Sequence, residues 1–378
     1  MRSSRNIILI STLSLLIAHC KTQPEDGPRP KAPTERESKE HPTKSTTPTV
    51  EKDPPLPPIS LSGDTAHPPV QRGVALGLYS EDPDWSYVDL LTEIKSTGAS
   101  HVSIAVPWYM KTAGDSEIFK HPRFTVPMHT VKRTIEDANK LGLEVFLFPI
   151  LRVEDKSDGG WRGTLHPKDE NAFYDNYITF ILKFARLAEE LKVPLLSIGS
   201  ELSSMDVNTE KWRLIARRVR GVYSGKLTYS ANWDHYTEVQ FFPDLDYAGV
   251  TGYFELASPG DNPDISSLVR AWQRVKRDLM EWQQTALKPL ILTEVGYLSQ
   301  KNAAAWPWKE GADEALDLEI QRRCYEAVRR VWNGEKNLAG LYFWNWFGWG
   351  GPTSKEYSPR NKPAAREVEK WYRQATRK

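Results

Sequence analysis

From residue 73 onward the chain alternates short apolar runs with longer amphipathic stretches, and that alternation limits its fold more than any other feature. The apolar runs occupy residues 73–79, 101–107, 143–151, 194–199, 226–231, 246–252, 289–293 and 338–344. Several are continuously apolar, the pattern of parallel strands covered on both faces. Between most of them lie stretches of helical period. Val131, Ile135 and Ala138 share one face, as do Trp212, Ile215, Ala216 and Val219. Leu268, Trp272, Val275, Leu279 and Trp282 hold a face through almost four turns, and Ile320, Cys324, Val328 and Val331 follow suit. Cys324 therefore reads as a core residue rather than a nucleophile. Only the fifth connection, around residues 234–244, is too short and aromatic to read as a helix. Eight strands in order, most followed by a helix, predict an α/β chain closed into a (β/α)8 TIM barrel. A doubly wound open sheet is the alternative, but the chain has no phosphate-binding turn to support it.

Every Trp, Tyr and Phe lies at or after Tyr79, so the preceding segment has no aromatic residue with which to build a core. Residues 1–20 read as an export signal: Arg2 and Arg5 precede an apolar stretch, Ile7 to Ala18, too short to span comfortably as a mature helix. Leu16-Ile17-Ala18-His19-Cys20 resembles a lipobox, which makes Cys20 the expected lipidation site and the membrane an expected partner through a lipid anchor. His19 stands where such motifs carry a small residue, and a plain signal peptide or uncleaved anchor is the alternative. Each reading puts the protein outside the cytoplasm. Residues 21–72 are rich in Pro, Thr, Lys and Glu, too polar to fold, and read as a disordered spacer. The catalytic domain is expected over residues 73–378.

Net charge is +1 with acids and bases interspersed, so nucleic acid is not an expected partner. Two cysteines are too few for a disulfide framework, and the chain carries no zinc spacing and no His-Glu-x-x-His run. It also carries no G-x-S-x-G elbow and no dinucleotide fingerprint. No metal or organic cofactor is expected. Carboxylates remain.

Two of them stand out. The fourth run, Pro194-Leu195-Leu196-Ser197-Ile198-Gly199, passes Ser200 and meets Glu201; the seventh, Pro289-Leu290-Ile291-Leu292-Thr293, meets Glu294. In a barrel of this kind chemistry belongs at the C-terminal ends of the strands. Cleaving a glycosidic bond takes one carboxylic acid to protonate the leaving oxygen and a second carboxylate to attack the anomeric carbon or activate water. A single strand-end Glu is as readily a favourable charge at a helix start. Two, in a chain without other catalytic signatures, favour the chemistry. Of the other acids near strand ends (Glu154, Asp155, Asp234, Glu255), Glu255 ranks third, after the pair.

Ile198-Gly199-Ser200-Glu201-Leu202 and Leu292-Thr293-Glu294-Val295-Gly296-Tyr297 resemble the acid/base and nucleophile motifs of glycoside hydrolase family 113, which contains β-1,4-mannanases and belongs to clan A of retaining (β/α)8 glycosidases. The loop from Trp161-Arg162-Gly163 through Tyr174-Asp175-Asn176-Tyr177 is similar, as is Tyr342-Phe343-Trp344, and the likeness covers most of residues 73–350. The resemblance implies that Glu201 is the general acid/base and Glu294 the nucleophile, that Tyr253 hydrogen-bonds the nucleophile, and that Trp344 floors the subsite at the cleaved bond. Many clan members place Asn before the acid/base; this chain has Ser200 there, as the family tends to have a small hydroxyl residue. Trp108, Arg152, Trp161, Asn232, Trp233, Tyr253 and Trp344 are the expected substrate-binding residues, because sugars offer C–H faces to rings and hydroxyls to polar groups. Trp306, Trp308, Trp346 and Trp349 are candidates for outer subsites.

The reading that follows is a retaining hydrolase of β-linked polysaccharide, with β-1,4-mannan or glucomannan as the expected substrate. Its alternatives are a non-catalytic carbohydrate-binding lipoprotein, and a β-glucanase or cell-wall glycan hydrolase of the same clan.

Overall fold

The computed structural model describes residues 70–157, 159–310 and 314–373; the expected export signal, Cys20 and the spacer as far as residue 69 lie outside them. Eight parallel strands close into a barrel in chain order: β1 (Gln71–Gly77), β2 (His101–Met110), β3 (Glu144–Val153), β4 (Leu195–Ser200), β5 (Lys226–Ala231), β6 (Ala248–Thr251), β7 (Leu290–Val295) and β8 (Leu338–Phe343). β8 pairs back onto β1, and the eight expected runs are the eight strands. Helices α1 (Val88–Ser96), α2 (Met128–Lys140), α3 (Glu170–Glu190), α4 (Ser203–Asp206), α5 (Thr209–Arg220), α6 (Ile265–Ala286), α7 (Leu318–Trp332) and α8 (Pro363–Tyr372) fill the connections. Between β5 and β6 only 3-10 turns occur, at Tyr236–Glu238 and Phe242–Asp244, as the aromatic composition there suggested. Among the described residues no helix is long and apolar enough to cross a membrane.

The elements form for local reasons. β4 and β7 are buried at every position, so both of their faces need apolar or hydrogen-bonded side chains. α5 buries Trp212, Ile215, Ala216 and Val219 and leaves a basic outer face. Asp169, Asn208, Asp264 and Asp317 cap α3, α5, α6 and α7 by accepting backbone N–H groups of the first turn. Such caps contribute about 1 kcal/mol each.

Strand limits differ from expectation where polar or paired residues extend them. β1 starts two residues early because Gln71, though polar, is buried and accepts the Tyr342 hydroxyl at 2.8 Å. β2 and β3 run on together through Trp108↔Leu151, Tyr109↔Arg152 and Met110↔Val153. Trp108, Tyr109 and Arg152 thus lie within strands, where the pleat sends neighbours to opposite faces.

Candidate active site

Glu201 follows β4 directly. The register between β4 and β5 shifts between Ser197 and Ser200, an irregularity of the kind that re-aims a strand end. Gly199 makes the approach possible: a Cβ there would come within 2.8 Å of Trp212, Tyr229 and the Tyr177 hydroxyl. Glu201 itself takes φ +53°, a left-handed conformation that costs a non-glycine residue roughly 1–2 kcal/mol. Hydrogen bonds hold it there. The Glu201 N–H donates to the Ser230 carbonyl at 2.8 Å, and the next N–H, of Leu202, donates to the Tyr229 hydroxyl at 2.9 Å. Arg162, on the 3-10 turn Arg162–Thr164 after β3, donates to Glu201 Oε2 in an ion pair that is largely out of water.

Glu294 lies inside β7 rather than after it, one residue before the strand's end and 2 % exposed. The registers of β7 shift on both sides near it, between Val250 and Thr251 and between Leu292 and Val295. The Tyr253 hydroxyl donates to Glu294 Oε2 at 2.7 Å. Oε1 is buried and has no hydrogen-bond partner among the described residues. Burial and then the charge of Glu201 push the Glu294 carboxyl up to about 8, against the opposing field of Arg162 and the Tyr253 hydrogen bond. The two carboxylates therefore sit in one electrostatic cluster. Arg162 feels both, and together they hold its proton more tightly. Burial and the Glu294 charge likewise raise the Tyr253 hydroxyl well above the usual range, so it remains a donor.

The other expected residues divide. Tyr253 bonds Glu294, as described. Arg152 bonds the Tyr109 hydroxyl and acts on Tyr79, which also feels Glu294 and Arg162; Arg152 therefore borders the cluster. Trp161 precedes Arg162, whose guanidinium lies 5.8 Å from its ring centroid. Asn232 directly follows β5, where its Oδ1 accepts the Trp233 N–H at 3.1 Å, and the Trp233 ring meets Phe254 edge-on. Trp344 directly follows β8 and is buried; its N–H donates to the carbonyl of Val295, the neighbour of Glu294.

Trp108 is the correction. Its ring packs on Phe180 and Phe184 of α3, with the Lys183 ammonium 4.9 Å from the ring centroid, so it faces the helix layer. The extra paired residues of β2 put Tyr109, not Trp108, beside Arg152. Among the outer tryptophans, Trp308 and Trp349 are exposed, whereas Trp346 is buried and donates to Glu93 of α1 at 3.0 Å. Glu255 is exposed on its loop and Cys324 is buried, its thiol pushed up by desolvation.

Four contributors were not singled out from the sequence: Arg162, Tyr79, Tyr357 and Glu310. Tyr357 packs 5.9 Å from Tyr253 and ties the loop after β7 by donating to the Pro307 carbonyl at 2.5 Å. Glu310 adds negative field at Glu294, Tyr79 and Tyr357. Arg162 had one signal, its place in the Trp-Arg-Gly run, and Tyr79 another, its place at the end of the first apolar run; Tyr357 and Glu310 had none. Among the described residues no group of three or more His, Cys, Asp or Glu side chains is placed to hold a metal ion.

A closed parallel barrel with two buried glutamates, one directly after β4 and one next to last in β7, places this chain in the class of (β/α)8 glycoside hydrolases. The profile of Glycoside Hydrolase Family 113 matches residues 77–365, and the chain belongs to that family. Among solved structures it is similar to a family 113 β-mannanase from Alicyclobacillus acidocaldarius, with 24 % identity and a TM-score of 0.71, over 82 % of this chain and 99 % of that one. It is also similar to another family 113 β-1,4-mannanase, with 21 % identity and a TM-score of 0.72, over 81 % and 99 %. A β-D-glucuronidase from Dictyoglomus thermophilum shares the fold at 16 % identity and a TM-score of 0.54, over 81 % of this chain and 51 % of its own. At these identities the likeness is one of fold. Among curated proteins none matches the chain.

Proposed function

We propose that this glycoside hydrolase cleaves β-1,4-mannan or glucomannan by a retaining double displacement, with Glu294 as nucleophile and Glu201 as acid/base. The observation that carries the reading is the shared environment of the two carboxylates: each is buried, the charge of Glu201 acts on Glu294, and both act on Arg162. The substrate class is supported by family membership and by the β-1,4-mannanase names of the similar structures.

In the first step a Glu294 oxygen attacks the anomeric carbon, and the electron pair of the breaking C–O bond leaves with the glycosidic oxygen, which takes the proton of Glu201. In the second, Glu201 removes a proton from water, whose oxygen displaces Glu294 from the same carbon. Tyr253 fixes one Glu294 oxygen and stabilises its charge, which leaves Oε1 to attack.

In the ligand-free site Arg162 pairs with Glu201, and burial favours a proton on Glu294 against the field of that guanidinium. The glycosidic oxygen of a bound saccharide comes to Glu201 as the acceptor of its proton. Arg152, Trp161, Asn232, Trp233 and Trp344 would line the sugar cleft, with Tyr109 in place of Trp108.

Glu294→Ala should abolish turnover, and azide should restore product of inverted anomeric configuration; an unimpaired variant would remove the proposal. Side-by-side product analysis on mannan, glucomannan, cellulose and xylan tests the substrate, and release of reducing ends from xylan or cellulose alone would overturn the mannan assignment. We also propose that Cys20 is lipidated and that the 21–72 spacer holds the barrel away from the envelope, on the sequence pattern alone. Cys20→Ser should then move the protein from the membrane fraction to the soluble one.

A further inference from the structure

We propose that Asp206 is a positioning residue for the acid/base, acting through Tyr229 and His235 on the backbone that carries Glu201. This rests on the reading of Glu201 above.

Asp206 ends α4 and is fully buried. Its Oδ2 accepts the Tyr229 hydroxyl at 2.8 Å, and its Oδ1 meets His235 Nε2 at 3.0 Å. Its own N–H donates to the Leu202 carbonyl at 2.8 Å, while the Tyr229 oxygen accepts the Leu202 N–H at 2.9 Å. Both backbone groups of Leu202, the residue after Glu201, are therefore tied to Asp206, one directly and one through Tyr229. A hydroxyl has a single proton, and Asp206 takes it, which obliges the Tyr229 oxygen to serve as acceptor for Leu202. The direction of the chain is set by the carboxylate.

The other arm reaches the neighbouring strand end. The His235 N–H donates to the Asn232 carbonyl at 3.0 Å, so the turn that carries Asn232 and Trp233 is joined to the Glu201 segment through one carboxylate. Burial pushes the Asp206 carboxyl up to about 6, against the Tyr229 hydrogen bond and the field of His235, with Glu238 adding to the rise. An apolar side chain would avoid that cost, and what the carboxylate supplies instead is direction at two loops. The strained φ of Glu201 is the feature that needs such support.

Asp206 is not what anchors α4 as a whole. The Met205 carbonyl accepts the Tyr174 hydroxyl at 2.7 Å and the Trp212 indole N–H at 3.0 Å, which pins the segment to α3 and α5. Variants at Asp206 should therefore fold, with Glu201 imperfectly aimed.

Proton donation matters for a poor leaving group and little for one that departs as a stable anion, which separates positioning of the acid from general damage. In the full-length protein, Asp206→Ala and Tyr229→Phe should lower kcat on mannan by about 10- to 100-fold with little change in KM, part of the 10²–10⁴ that a general acid contributes. Turnover of dinitrophenyl β-mannoside in its glycosylation step should fall by no more than about three-fold. Asp206→Asn keeps an acceptor for Tyr229 and a hydrogen-bonding group for His235 Nε2, so it should recover most of the mannan activity. Equal losses on both substrates, or none in Asp206→Ala, would overturn the proposal. Should circular dichroism show Asp206→Ala unfolded, Tyr229→Phe and Asp206→Asn decide by the same split. Glu201→Ala is the control: if it shows no dependence on the leaving group, the acid/base reading fails; if it does and Asp206→Ala does not, the Asp206 proposal fails alone.

Discussion

Glu201 and Glu294 lie at the C-terminal ends of similar apolar strands, yet the fold treats them differently. Glu294 is part of β7, with extended strand backbone beside shifted registers and a single neutral donor, Tyr253. Glu201 stands past the end of β4 in a left-handed conformation, paired with a guanidinium and braced by a network that runs to Asp206. One carboxylate is made by burial in a rigid strand, the other by assembly of a turn from several elements. Two groups of one residue type acquire different surroundings in this way, which a division of labour between two carboxyls requires.

The comparison breaks first on the proposed nucleophile. Replacing Glu294 by Ala should cost on the order of 10⁴-fold or more in kcat, since a missing nucleophile removes a whole step; a loss confined to tenfold on a chromogenic mannoside would put the chemistry elsewhere. Tyr253→Phe comes next. A hydrogen bond to a charged group is worth about 1.5–3 kcal/mol, so kcat/KM should drop roughly 10- to 100-fold. Its loss raises Glu294 further, and the acid limb of the pH profile should move upward; an unmoved limb would deny that the bond favours the ionised form.

Arg162→Met sharpens the contrast from the other side. Without its positive charge Glu294 holds its proton more tightly, so the acid limb of the kcat/KM profile should shift to higher pH. Arg162→Lys should shift it less. A downward shift would contradict the field of the guanidinium at Glu294.

The smallest effect is on stability. Asp206 has its folded value raised from 3.8 to about 6, so the folded protein binds this proton more tightly than the unfolded chain. The penalty for the charged form is absent below about pH 4, grows as pH rises through the window between, and is complete above about 6. Asp206→Asn removes it, so the variant should match wild type near pH 4 and melt higher at pH 8, by up to ~3 kcal/mol. Calorimetric melts at the two pH values check this. A variant less stable at pH 8 than at pH 4, relative to wild type, would reverse the sign.

Much of this was legible in the linear order. Continuous apolar runs announce strands covered on both faces, and the residues that follow them in a parallel barrel must gather at one end. Glu201, Glu294, Asn232 and Tyr253 are expected at the site on that ground, and the structure joins Tyr253 to Glu294 and sets Glu201 in the same field. Trp108 was misplaced because the length of β2 depends on its pairing with β3, and one added residue of pleat turns a ring from the cleft to α3. Arg162 stands thirty-nine residues before Glu201, and no period or spacing connects them.

The sequence by itself determined the eightfold alternation and which acids end which strands, because side-chain burial and backbone period are local properties. Only the tertiary structure decided which guanidinium meets which carboxylate, which ring faces the mouth, and that Asp206 braces Leu202 through Tyr229. Those are contacts between distant segments, and their energies depend on distance and dielectric that exist only once the barrel has closed.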